Sequence, residues 1–216
     1  MKQRFLSPAY RVSGWNRRRK WQLFLQYFSP TPRTTVLDVG ASDAEYSPTD
    51  NFLEKNYPYP RAITALVKGE TDRLGRRYPE ITAVSYAGGA WPFADKAFDI
   101  CWSNAVLEHV GGRAEQTAFL REAARTARQA FITTPNRFFP IEVHTRLPLL
   151  HIILPRPWFD GMLRLLGRGW AAGDYMHLLS RRDLIRCLEA AGIRRYRIIK
   201  NKIFFWTLDF VVIIYE

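Results

Sequence analysis

The sequence predicts an α/β protein in which helices cover both faces of a mostly parallel sheet. Short β-branched runs alternate along the chain with helical stretches, a pattern typical of parallel strands joined by crossover helices. A glycine ends the first of these runs, and the two last runs lie so close together that we expect them to pair antiparallel. The 216 residues suffice for one domain with a sizeable core and a large excursion after the fifth strand.

Each expected element has its own signal in the sequence. Apolar and β-branched runs predict the strands, at Thr35–Val39, Ala62–Val67, Ile81–Tyr86, Phe98–Trp102, Ala130–Thr134, Arg195–Phe205 and Leu208–Tyr215. Apolar residues at helical spacing predict helices over Arg17–Phe28 and Ala114–Ala127. A capping-box pattern at Ser180–Asp183 begins a further helix, which we expect to end near Gly192.

The composition excludes several classes of protein. A chain that is 47% hydrophobic and 24% charged is neither a disordered tail nor a fibrous repeat. The two cysteines, Cys101 and Cys187, form neither a disulfide framework nor a zinc-site cluster, so we expect no metal and a reduced compartment. Without an apolar signal segment or a run long enough to cross a bilayer, a cytoplasmic protein is expected.

Positive charge is concentrated in two flanks of the chain. Residues 1–33 hold eight basic and no acidic residues, and residues 143–202 hold twelve basic and four acidic ones. The middle of the chain is nearly neutral. Such flanks fit a nucleic acid, an anionic membrane, an acidic substrate or merely a solubilising surface, and the charge alone leaves these alternatives open.

Two stretches of the expected sheet carry the main functional signal. The first, Val36–Asp43 (VLDVGASD), is a strand that ends in an acid and a glycine, a turn where the backbone can approach a ligand closely. The second, Trp91–Val110, reads WPFADKAFDICWSNAVLEHV. Together they resemble the class I S-adenosylmethionine-dependent methyltransferases, in the branch often called methyltransferase type 11. The resemblance covers roughly Thr34–Thr134 and is more specific in the second stretch.

The resemblance implies a fold, a cofactor and a reaction. The fold is Rossmann-like, with a seven-stranded sheet of order 3-2-1-4-5-7-6 in which strand 7 is antiparallel. The cofactor is S-adenosylmethionine, whose methyl group passes to an acceptor. We therefore divide the chain into a basic helical extension over residues 1–33 and a methyltransferase domain over residues 34–216, with an apolar and basic lid-like insertion at 135–176.

The cofactor residues follow from matching the chain to the motifs of that family. In the first motif Asp38 and Gly40 match, whereas Ser42 and Ala44 replace two glycines, and Ala41 lies between. The loop wraps the methionyl part of the cofactor in the family. The later sequence Ser47–Asp50 reads as the N-cap, proline and acid that begin a delayed helix.

The nucleoside end of the expected site departs further from the family. Val67 ends the second strand where an acid usually accepts hydrogen bonds from the ribose, and Gly89 with Ala90 stands where a second acid often follows strand three. Surface positions are expected for the acids that remain nearby, Glu54, Glu70 and Asp72. Asn104, just beyond strand four, matches a position that lines the pocket beside the sulfonium in the family.

Two histidines are the candidate catalytic residues. If the acceptor is a hydroxyl, a base must remove its proton as the oxygen attacks, and an imidazole titrates in the required range. His144 is the first candidate and His177 the second, since both follow strand five, at the binding edge of the sheet. The alternative is that both are structural and that methyl transfer proceeds by positioning alone.

The acceptor is the least defined part of the prediction. We expect a small-molecule or lipid-like acceptor, because residues 135–176 combine Trp, Leu and Arg in a way that also fits peripheral contact with an anionic membrane. An RNA substrate is less favoured, because Ser103–Val106 lacks the Asn/Asp-Pro-Pro-aromatic motif of base-amino methyltransferases. A methyltransferase-like binding module that has lost catalysis is a further alternative, based on Ser42, Val67 and Gly89. For an enzyme, we expect Asp38–Gly40 and Ser103–Asn104 to border one cavity.

Overall fold

The computed structural model describes residues 8–140, 154–169, 173 and 176–216. The helices of at least five residues in these ranges are α1 (Pro8–Phe28), α2 (Phe52–Asn56), α3 (Asp72–Arg77), α4 (Arg113–Thr126), α5 (Arg156–Leu165) and α6 (Arg181–Ala190). The strands are β1 (Val36–Val39), β2 (Ile63–Lys68), β3 (Thr82–Tyr86), β4 (Phe98–Asn104), β5 (Ala127–Pro135), β6 (Tyr196–Ile203) and β7 (Trp206–Ile214).

The seven strands form one sheet in the order β3-β2-β1-β4-β5-β7-β6. Strands β1, β2 and β3 pair parallel, as do β1 and β4, whereas β7 is antiparallel to both β5 and β6. This is the predicted class I methyltransferase topology, and the prediction of the fold is confirmed. The chain divides into two compact units, residues 1–102 with 126–128, and residues 103–125 with 129–216.

The core of the first unit forms where α1 packs on the sheet. All four residues of β1 are buried, as expected for a strand covered on both faces. The rings of Trp21 and Phe24 lie 5.9 and 5.0 Å from that of Trp102 in edge-to-face contacts. Trp21 also contacts Phe52 and Tyr57. The helix therefore joins the core of this unit, although the boundary predicted at residue 33 stays a prediction.

In the second unit, the predicted capping box at the start of α6 is confirmed. The Ser180 hydroxyl accepts from the Asp183 amide, and the Asp183 carboxylate accepts from the Ser180 amide. The same carboxylate accepts from the Arg113 guanidinium at 2.6 Å, which links α6 to α4. Burial raises the pKa of Asp183, but the hydrogen bond from Arg113, the hydrogen bonds from Ser180 and the charge of Arg113 together lower it to about 2.

Two predicted helix starts are wrong. Helix α1 begins at Pro8, well before Arg17, and it includes the polar and basic residues that hid its period. The helix after β1 begins at Phe52, so Ser47–Asp50 is not its first turn. There the Asp50 carboxylate accepts from the backbone N–H groups of Tyr46 and Ser47 and closes a local turn instead.

Part of the excursion is regular. Helix α5 buries Phe159 and Leu163, and Leu154 and Met162 pack against this pair.

None of the helices in the described ranges is long and apolar enough to cross a membrane. Both cysteines are buried as free thiols, and burial raises the pKa of Cys101.

Candidate active site

The turn after β1 has the backbone geometry that its sequence predicts. Strand β1 ends at Val39, and Gly40 adopts a φ of 118°, which L side chains rarely adopt. The preceding Asp38 is 5% exposed and pairs in register with Ala65 on β2 and Trp102 on β4. A buried carboxyl group therefore lies one residue from the point where the backbone leaves the sheet.

Asp38 shares this buried position with a second carboxyl group that the sequence placed on the surface. Glu54, in α2, is 6% exposed, so the expectation of a surface position is wrong. Burial, then the charge of Glu54 and a hydrogen bond to it, raise the pKa of Asp38 well above its usual range. Burial also raises the pKa of Glu54, against the hydrogen bond from Asp38. Burial therefore disfavours the charged form of both carboxyl groups.

A cation from α1 acts on Asp38. The Arg17 guanidinium donates to the carbonyl oxygen of Thr49 at 2.6 Å. Its charge opposes the rise in the pKa of Asp38. Both oxygens of the Glu54 carboxylate are buried and receive no hydrogen bond of ordinary geometry within the described part of the chain. The charge of Arg17 therefore offsets part of the cost of burying the Asp38 carboxyl group.

A side chain fixes the loop at the position where the family has its second glycine. The amide of Asn51 accepts from Ser42 N–H at 2.8 Å and donates to the Ser42 carbonyl at 2.8 Å and to Glu45 at 3.1 Å. Asn51 itself has a φ of 48°, a conformation that asparagine tolerates better than most residues. The Ser42 amide is thus already paired inside the protein. This clamp was missed because it joins residues nine positions apart without a periodic signal.

The same loop is tied to the start of α3. The Asp43 carboxylate accepts from the backbone N–H groups of Arg73 and Leu74, at 2.7 and 2.9 Å. The residue preceding the helix, Thr71, supplies no side-chain cap, so Asp43 takes over that function from another element.

The ends of β2 and β3 confirm where the expected acids are missing. Val67 is 4% exposed and apolar, and the next side chain is that of Lys68. A Cβ built on Gly88 would lie 3.8 Å from Lys68 Cε, so the lysine stem passes over the turn that follows β3. Gly89 has a φ of 84°, and a Cβ there would meet nothing within 4 Å. Ala90 is exposed beside it.

These residues fit S-adenosylmethionine at one end. Carboxyl groups such as those of Asp38 and Glu54 are acceptors of the kind that suits the ammonium and sulfonium of a methionyl group. At the nucleoside end, the open backbone at Gly89 leaves room for a ligand, but Val67 offers no acceptor to a ribose. The individual roles of the predicted cofactor residues stay predictions. These residues are Asp38, Gly40, Ala41, Ser42, Val67, Gly89 and Ala90.

In the second unit, two adjacent threonines of β5 hold two residues of the second motif. Thr133 Oγ1 donates to Asn104 Oδ1 at 2.9 Å, and Thr134 Oγ1 donates to Glu108 Oε2 at 3.1 Å. Neighbouring side chains of a strand point to opposite faces, so Asn104 and Glu108 contact opposite faces of β5. Asn104 is thereby fixed at the end of β4, while the cavity it was expected to share with Gly40 stays a prediction.

Glu108 also positions one of the candidate bases. Its side chain is fully buried, and its carbonyl oxygen accepts from the His177 backbone N–H. The His177 carbonyl accepts from Gln116 Nε2 at 2.8 Å, so both of its peptide groups are held while its side chain is half-buried. His144 lies outside the described residues. The position of Glu108 within the second motif was the available signal for it, which the sequence analysis did not use.

The segment Thr133–Asn136 (TTPN), at the end of β5, connects to two other parts of the chain. Asn136 follows β5, and its N–H and its side-chain Nδ2 donate to the carbonyls of Leu208 and Thr207, each at 2.9 Å. It also forms an isolated parallel bridge with Leu179. The TTPN segment therefore joins the start of β7 to the chain that follows His177.

The sequence profile of the methyltransferase-domain family matches residues 64–130. No curated protein shows significant sequence similarity to the chain. Among solved structures, a SAM-dependent methyltransferase from Aquifex aeolicus is 16% identical, with a TM-score of 0.57 over 90% of this chain and 88% of that one. The methyltransferase domain of bacterial CtHen1-CN is 14% identical, with a TM-score of 0.56 over 93% of this chain and 98% of that one.

A third structure, the DszA carbon methyltransferase, is 18% identical, with a TM-score of 0.58; the match covers 97% of this chain and 55% of that one. At such low identities the structural likeness concerns the fold, whereas the profile match concerns the sequence of β2 to β5. The two findings support the same assignment from separate properties of the chain. Residues 64–130 therefore match the methyltransferase-domain family, and the fold of the chain is that of solved S-adenosylmethionine-dependent methyltransferases.

Proposed function

We propose that the protein transfers a methyl group from S-adenosylmethionine to a small-molecule or lipid-like acceptor. The observation that carries the choice of acceptor is the outer face of α5. Trp158 is 73% and Leu165 86% exposed, whereas Phe159 and Leu163 of the same helix are buried. An apolar outer face beside Arg164 and Arg168 suits an amphiphilic acceptor or the surface of an anionic membrane better than a fully polar one.

When bound, S-adenosylmethionine supplies a methyl group that is already activated for attack. The protein residues then bind, orient and manage protons. Asp38 with Glu54 offers a negative charge to the cationic end of the cofactor, and Gly40 allows the backbone to approach it. His177, fixed through both of its peptide groups, is the described candidate to take a proton from a hydroxyl acceptor at an imidazole nitrogen. His144, the first candidate from the sequence, is the other proposed base.

The second candidate function is that of a methyltransferase-like binding module, which keeps the fold but has lost catalysis. It is favoured by the paired Ser42 amide and by apolar Val67 at the end of β2, since both reduce the number of groups left for the cofactor. Transfer to RNA is a third and less favoured reading of the basic charge.

Direct titration separates these candidates. Calorimetry of the full chain with S-adenosylmethionine and with S-adenosylhomocysteine is expected to show micromolar binding. Binding weaker than millimolar for both would favour the inactive module. With the labelled methyl donor, transfer to a lipid extract or to small amphiphiles supports the proposal, whereas transfer to RNA alone overturns the choice of acceptor. His177→Asn is expected to lower the rate more than cofactor affinity, and an unchanged rate would exclude it as the base.

A further inference from the structure

The turn between β6 and β7 presents aromatic side chains where tight turns normally carry small polar ones. β6 ends at Ile203 and β7 begins at Trp206, so Phe204 and Phe205 alone form the connection. Their side chains are 90% and 80% exposed, and Trp206 is 47% exposed. The rings of Phe205 and Trp206 lie 5.6 Å apart. We call Phe204, Phe205 and Trp206 the aromatic tip.

The backbone conformation at this tip is unfavourable for the bulky residues found there. Phe204 has a φ of 52°, in the left-handed region that a bulky side chain rarely occupies. Two-residue turns with a positive φ at the first position favour glycine there and a polar residue next. A sequence selected only for stability of this hairpin would not place two exposed phenylalanines in it. The tip therefore points to an apolar partner outside the chain.

The charge around the tip indicates what that partner is. Residues 190–208 contain five basic residues and no acidic one. Arg197, Lys200 and Lys202 are exposed along β6, which is the edge strand of the sheet. Exposed lysines on an edge strand also discourage aggregation, but that use does not require aromatic residues at the turn. Apolar rings flanked by cations match the boundary between lipid tails and anionic headgroups.

We infer that the β6–β7 hairpin inserts its aromatic tip into an anionic bilayer surface while the cations of β6 contact lipid phosphates. A second copy of the chain is a poorer partner, because three side chains bury far less than the roughly 1,200 Å² of a stable protein interface. The inference extends the proposed membrane contact to residues beyond the excursion. Vesicle binding does not require methyl transfer, so this inference and the proposed acceptor are tested separately.

Co-sedimentation of the full chain with vesicles tests the inference. Vesicles of phosphatidylcholine with one quarter phosphatidylglycerol are compared with pure phosphatidylcholine at low and physiological salt. The wild-type protein is expected to bind the anionic vesicles at least tenfold more tightly, with an affinity that falls as salt rises. Absence of binding even at low salt would overturn the inference.

The decisive variant is Phe204→Gly combined with Phe205→Ser, which suits the turn better than the natural pair. We expect it to melt at the same or a higher temperature and yet to lose at least tenfold in vesicle affinity. Lys200→Gln with Lys202→Gln is expected to weaken binding and its salt dependence. Tyr46→Ser, which removes an aromatic residue 83% exposed elsewhere, is the matched control and should bind as the wild type does. Unchanged binding by the Gly-Ser variant would contradict the inference, as would tip-dependent binding to RNA in place of vesicles.

Discussion

Arg17 is the residue whose replacement best tests the electrostatics of the proposed cofactor end. Its guanidinium, on α1, is largely buried, donates to the Thr49 carbonyl and lies near the Asp38–Glu54 pair. Arg17→Met keeps a long apolar stem but removes the cation and the hydrogen bond. The Asp38 carboxyl group then loses the positive charge that lowers its pKa.

The expected loss of folding free energy is about 2 kcal/mol at pH 8. Removing one member of a buried charge cluster costs about 3–5 kcal/mol. A value below that range applies here because Arg17 is not fully buried. A lost hydrogen bond from a charged donor accounts for about 1.5 kcal/mol of the total.

The loss is expected to shrink at lower pH. Burial raises the pKa of both Asp38 and Glu54 in the folded state, and removing Arg17 raises the pKa of Asp38 further. An acid with a raised folded pKa favours folding below its unfolded pKa, near 4, and this contribution is lost as pH rises towards the folded value. The variant therefore falls further below the wild type at pH 8 than at pH 5.

Urea denaturation of both proteins at the two pH values measures this difference. Arg18→Met is the matched control, because Arg18 is exposed on the same helix, and it is expected to change stability by less than about 0.5 kcal/mol. Equal losses for Arg17→Met at pH 5 and pH 8, or a control variant as unstable as the test variant, would refute the reasoning.

Three further predictions concern single positions. Gly40→Val is expected to abolish cofactor binding in calorimetry, because a β-branched residue is strained at a φ of 118°; undiminished binding would place the cofactor elsewhere. Asn51→Gly removes the hydrogen bonds to Ser42 without adding backbone strain, and it should weaken cofactor binding about tenfold. Asn51→Ala adds strain at the positive φ, so its free energy of unfolding should be about 1 kcal/mol lower than that of Asn51→Gly. Asp183→Ala should cost about 1–2 kcal/mol at pH 7. Because the folded pKa of Asp183 is about 2, that cost is expected to disappear as pH falls from about 4 towards 2, which acid denaturation will show.

The sheet could be predicted from the sequence because its signals are local or belong to a specific motif. The runs that predicted β2, β4 and β7 differ from the observed strands by no more than two residues at either end. The order of the strands came from the resemblance, since periodicity does not specify which strands are neighbours. Helix starts were less predictable: α1 begins nine residues before Arg17 because its first turns lack an apolar stripe.

The candidate site was predictable only where it lies within a motif. Asp38 and Gly40 were found from the strand-turn pattern, but their surroundings depend on distant contacts. Glu54 meets Asp38 only because α2 folds back under the loop, and a lone glutamate in a short polar stretch is usually a surface residue. The contact of Glu108 with Thr134 likewise joins residues 26 positions apart and has no signature in either segment.

The contacts of Asn51 and Asp43 explain how the loop keeps its shape without the later glycines of the family motif. Glycines let a loop turn tightly around a ligand, whereas here the loop is shaped by the side chains of Asn51 and Asp43. A loop held in this way has fewer free amides, so we expect more of the attraction for a cationic cofactor to come from the carboxyl groups of Asp38 and Glu54. The charge of Arg17 in α1 acts on the pKa of Asp38. The N-terminal helix thus contributes a charge beside Asp38 as well as the core contacts of Trp21 and Phe24.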